Sequence, residues 1–181
     1  MGGHSLMMRP GQPLLLPARP LFIWGSLLVA LLLNIVQNMG VAGRSALAPD
    51  LLALVLVFWT VHQPLRVSIG AAFVFGLLMD THQGGLLGQH AFSYALLSYF
   101  AVSIHRRLMW FTIFAQAAQV LPLFVAAHAV EVALRMLGGG SFPGLAIIIA
   151  PLIESALWPL ASMVLLAPQR RAPNPDVHRP L

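Results

Sequence analysis

The sequence predicts an all-α integral membrane protein: a bundle of six transmembrane helices with both termini on the inner side. Three observations predict it. Only fifteen of 181 residues carry a formal charge, ten Arg and five acids. Apolar residues reach 59% and the mean hydropathy is +0.83, so the chain cannot cover a water-facing surface with polar groups. The charges also fall between long charge-free runs, at 20–43, 51–65, 67–79, 81–105, 108–130, 136–153 and 155–169. A helical span needs roughly 20 apolar residues, and Leu/Ala-rich runs without strict alternation favour helices over a β-barrel.

Taken in order, the spans fall near 20–38, 47–62, 66–80, 86–105, 109–134 and 143–166. The first is too long, and its flank too extended, for a typical cleavable signal peptide. The second and third are short, with Pro64 between them. They either cross with local thinning of the bilayer or form a re-entrant hairpin over 47–80. Two real crossings are preferred, because a hairpin would bury Arg66. The sixth span encloses Glu154 between Pro151 and Pro159. The domain plan is a Pro-rich tail at 1–19, a membrane domain at 20–167 and a basic tail at 168–181.

Arg placement sets the orientation. With the N-terminus inside, eight of the ten Arg lie on the inner side and only Arg44 and Arg135 lie outside. That asymmetry follows the positive-inside rule. Trp24, Trp59, Trp110 and Trp158 fall within the spans, several near an end, as interfacial anchors do. The net charge of +5 does not indicate nucleic acid, because the Arg form no stripe.

Absences exclude several chemistries. There is no Cys, hence no disulfide scaffold or thiolate site. The chain has no HExxH, GxSxG or P-loop pattern. No acidic cluster is placed to hold Mg²⁺, so neither an enzyme nor a cofactor is expected.

Four groups of residues stand out. Ser68, Ala72, Gly76 and Asp80 recur every four residues, and with Phe73, Gly84 and Gly88 they mark a helix surface for close packing. The surface serves either packing within the bundle or a partner's transmembrane helix. Asp80 opposes the dipole at its own helix end, so it is expected to leave the helix in an Asx-type turn before the glycines. Glu131 and Arg135 have the favourable i,i+4 order for an ion pair, and His128 shares their arc; two ligands are too few for a metal. Asn34, Gln116 and Glu154 are intramembrane polar groups. The first two are expected to bond between helices, and Glu154 is either a neutral buried acid or part of a pathway or contact.

The order of these segments resembles the MreD family of integral-membrane rod shape-determining proteins. Pro49-Asp50 followed by an apolar run to Trp59 resembles the family's second span. Pro64-Leu-Arg66-Val67 then leads to Gly70, Phe73, Gly76, Asp80, Gly84 and Gly88, similar to its most recognisable pattern. Gln116 and Leu157-Trp158-Pro159 resemble its later spans, so the likeness covers about residues 20–171. The Pro-rich N-terminal extension and Glu154 depart from the pattern.

The resemblance implies a non-enzymatic scaffold of the bacterial elongation machinery in the inner membrane. It implies binding to MreC and, through it, to MreB filaments, the glycosyltransferase RodA and its class B penicillin-binding partner, among membrane lipids. It also implies a fold similar to the substrate-binding components of energy-coupling-factor transporters. A small-molecule (vitamin) binding subunit of a transporter is therefore the alternative function.

Overall fold

The computed structural model describes residues 18–39, 48–84, 86–142, 144 and 148–169. The two expected tails, apart from Ala18, Arg19, Pro168 and Gln169, and the loop holding Arg44 lie outside the described residues. Six α-helices follow one another: α1 (Pro20–Asn38), α2 (Leu51–His62), α3 (Ile69–Gln83), α4 (Gln89–Leu108), α5 (Ile113–Leu137) and α6 (Ile149–Leu166). A short 3-10 turn over Ala167–Gln169 extends α6.

Local chemistry explains where each helix starts and stops. Pro20 opens α1, where its missing N–H costs nothing. Asp50 caps α2, its side chain accepting from Ala53 N at 2.9 Å. Gly84 ends α3 in the left-handed region at φ 61°, and Gly88 precedes α4 at φ 102°. Arg106 and Arg107 lie in the last turn of α4, where cations complement the exposed carbonyls. The prolines Pro122 and Pro159 lie within α5 and α6 without ending them.

Among the described residues three helices are long and apolar enough to cross a membrane: α1, α5, and α6 with its terminal turn. By contrast α2 has 12 residues, about 18 Å of helix against roughly 30 Å of hydrocarbon. It begins at Leu51, where Asp50 caps it. The sixth helix begins at Ile149 rather than 143, and residues 143 and 145–147 lie outside the described residues.

Packing follows from apolar coverage. α2 is apolar nearly all round and almost wholly buried, touching α1, α4 and α6. α3 lies against α4, α4 against α5, and α5 against α6. The outer sides of α1 and α6 expose Leu28, Leu32, Val36, Leu160 and Val164. An apolar exterior of this kind belongs in lipid. The tryptophans divide, and two correct the expectation of interfacial anchors. Trp59 and Trp158 are core residues, their indole N–H groups donating to Ser26 Oγ at 2.8 Å and Gln116 Oε1 at 3.2 Å. Trp110, 89% exposed, stands in the turn between α4 and α5.

Candidate functional site

The C-terminal ends of α1, α3 and α5 and the N-terminal ends of α2, α4 and α6 meet at one end of the bundle. Two acids there, the buried Asp80 and the half-buried Asp50, hold helix N-termini. Each N-terminus presents backbone N–H groups without partners in its own helix, and its dipole favours negative charge.

Asp80 holds α4. It stays inside α3, fully buried, instead of turning out of the helix as its local sequence suggests. Its carboxylate accepts from Gly88 N at 2.9 Å, His90 N at 2.8 Å and Ala91 N at 3.2 Å. His90 Nδ1 also lies 2.8 Å from Oδ1. The physical reason for the correction is electrostatic. The acid opposes the dipole of its own helix, but it faces the favourable end of the next one. Gly76 makes the approach possible: a Cβ there would stand 2.5 Å from Ala91 N and 2.7 Å from the carbonyl carbon of His90. Only a glycine lets the α4 backbone come so close.

Asp50 holds α2 as part of a wider network. Asn34 Nδ2 donates to Asp50 Oδ1 at 2.5 Å, and the Tyr94 hydroxyl donates to Oδ2. Asn34 Oδ1 accepts from Leu51 N at 3.0 Å, and Glu154 Oε1 accepts from Asp50 N at 2.8 Å. His128 Nε2 lies 3.4 Å from the same Glu154 oxygen, while its Nδ1 is 3.0 Å from Phe124 O. One cluster thereby joins α1, α2, α4, α5 and α6. Glu154 is 0% exposed, and its Oε2 is buried without a hydrogen-bond partner.

Beside this network lies a polar cavity of about 260 Å³. Asn34, Asp50, His90, His128, Glu131 and Arg135 are among its lining residues. Among the described residues no three His, Asp or Glu side chains are placed to hold a metal ion.

The other residues singled out by sequence separate. Ala72 and Gly76 are buried on the α3 face toward α4, with Asp80 one turn on. Ser68 and Phe73 are exposed and remain apart from that face. Gly84 and Gly88 lie in the α3–α4 connection, where a Cβ would meet nothing within 4 Å; positive φ, not close packing, accounts for them. Asn34 and Gln116 are buried and bonded as described.

The expected Glu131–Arg135 pair is corrected. Among the described residues the ion pairs are His90–Asp80 and His128–Glu154. Arg135 instead runs beside the Gly140 turn after α5; a Cβ on Gly140 would stand 2.8 Å from Arg135 Cγ. Sequence reasoning missed Asp50, His90 and Tyr94 as site residues. Asp50 had a signal, an acid just before an apolar run. Tyr94 had none.

Comparison with known proteins gives a consistent assignment. The family model described as rod shape-determining protein MreD matches residues 18–166. The rod shape-determining protein MreD of Haemophilus influenzae is 45% identical over 49 residues, which is 27% of this chain and 30% of that protein. The match thus spans under a third of that relative's length. No solved structure matches the chain.

Proposed function

Because the chain belongs to the rod shape-determining MreD family, we propose that it is a multi-pass scaffold of the inner membrane. In this reading it binds MreC and helps position peptidoglycan synthesis, reaching MreB, RodA and its penicillin-binding partner through that contact, without catalysing a reaction itself. The observation that carries it is the family match over residues 18–166, laid on a bundle whose outer helix faces are apolar. The six helices all cross, with both termini inside. Arg19, Arg66, Arg106 and Arg107 then share the inner end, and the polar cavity lies at the outer end. The short α2 crosses within the protein interior, away from lipid, and α3 turns Phe73, Val74 and Leu78 outward.

Two measurements test this. Co-expression with MreC and affinity purification through this chain recovers MreC in a stable complex. Recovery of an ATPase module with a bound vitamin and no MreC overturns the scaffold in favour of a transporter subunit. For the topology, Arg66→Cys reacts with an impermeant thiol reagent only from the cytoplasmic side. Labelling solely from outside overturns the six-span orientation.

A further inference from the structure

The chain has five acids, and four of them gather around the polar cavity. Asp50 and Glu131 stand in its wall. Asp80 and Glu154 stand directly behind, each touching a wall histidine: His90 Nδ1 at 2.8 Å and His128 Nε2 at 3.4 Å. Capping two helix N-termini occupies Asp50 and Asp80 and one oxygen of Glu154. It does not use Glu131, nor the second oxygen of Glu154, which is buried and unpartnered. A buried acid oxygen without a partner, as on Glu154, is costly and marks a binding site or pathway.

The lining selects a ligand class. Its amides and imidazoles both donate and accept; of its two carboxylates, Asp50 already accepts from Asn34, Ala53 N and Tyr94, so Glu131 is the one left for a cation with N–H donors. The described residues offer no three-ligand metal set, which leaves an organic cation. Arg135, one turn beyond Glu131 on α5 and at the exposed edge of the same cavity, adds a fixed positive group. Two opposite charges in the i,i+4 order that normally pair are held apart here, and among the described residues they make no ion pair with each other.

We propose that this cavity binds a primary ammonium carried on a small zwitterion, with the ammonium against Glu131 and a linked phosphate or carboxylate against Arg135. The volume of about 260 Å³ suits a small polar group rather than a polymer. The same chemistry is offered by a soluble amino compound and by the headgroup of phosphatidylethanolamine. The proposal does not rest on the scaffold function.

The test uses the full chain in phosphatidylcholine nanodiscs, with thermal unfolding followed by the fluorescence of its four Trp. O-phosphoethanolamine is the soluble probe; phosphocholine keeps the phosphate but has no N–H to donate. A second arm replaces part of the lipid with phosphatidylethanolamine. The expected result is a rise in unfolding temperature of a few degrees with the ethanolamine form and none with the choline form. A response in the soluble arm assigns a free zwitterion, and a response in the lipid arm alone assigns the headgroup. Glu131→Gln, which keeps the side-chain shape, abolishes the preference. Arg135→Gln, at an exposed position, weakens binding about tenfold, as expected for losing one charge-assisted bond. Equal response to ethanolamine and choline forms in both arms overturns the proposal, as does a preference that survives both substitutions.

Discussion

The two acid-centred junctions at the same end of the bundle solve one problem in different ways. Asp80 meets donors only 8 to 11 residues further along the chain, so it staples one helix to the next. The Asp50 junction spans up to 104 residues, joins five helices, leaves Glu154 Oε2 unpartnered and borders a cavity. In the first, both carboxylate oxygens of Asp80 are bonded to the start of α4, and only its partner His90 reaches the cavity wall. The second holds more polar groups than its hydrogen bonds consume. Polarity left over after structure is satisfied is where binding is to be sought.

The sharpest way to break this contrast is at the closed junction. Gly76→Leu places a large side chain against the α4 backbone, which cannot move aside as a side-chain tip can. Overpacking of this kind destabilises by about 3 kcal/mol or more. Denaturant unfolding in detergent measures it; an unchanged midpoint would show that α3 and α4 are not tightly joined.

A smaller effect is expected at the open junction. Tyr94→Phe removes the hydroxyl that donates to Asp50 Oδ2 while keeping the ring buried. The loss is about 1–2 kcal/mol, since the bond is to an acid but other donors remain on Asp50. A loss as large as that of Gly76→Leu would mean that the Asp50 junction is as closed as the other.

The smallest effect is expected from Glu154→Gln. The amide oxygen still accepts from Asp50 N, so folded yield and unfolding midpoint change by less than about 1 kcal/mol. Severe misfolding of this variant would make the carboxylate itself, not its acceptor oxygen, the structural requirement.

Much of the fold was legible because lipid writes its demand on every residue of a span. The charge-free runs place all six helices, and α1 matches its expected bounds of 20 and 38. The short α2 and the reach of α3 were harder to read, because tertiary polar contacts set them. Asp80 was read as a turn residue from Asp-Thr-His-Gln-Gly, a sequence that supports a turn locally. Its actual donors belong to another helix. Glu154 stood out at once as an unpaired acid within a span. Its neighbours Asp50 and His128 come from distant helices, and nothing in their spacing joins them. Glu131 and Arg135 show the converse: an ideal local spacing at which, among the described residues, no ion pair forms.

The buried α2 has a consequence for the order of synthesis. Its first turn depends on Asn34, already made, but also on Tyr94 and on Glu154 of the last helix. When α2 leaves the ribosome, the N–H of Asp50 has more than a hundred residues to wait for its acceptor. Closing a loop of that length is slow, although lengthening it adds little free-energy cost. The bundle therefore locks only when α6 arrives. Until then Asp50 N lacks the acceptor that it has in the finished bundle.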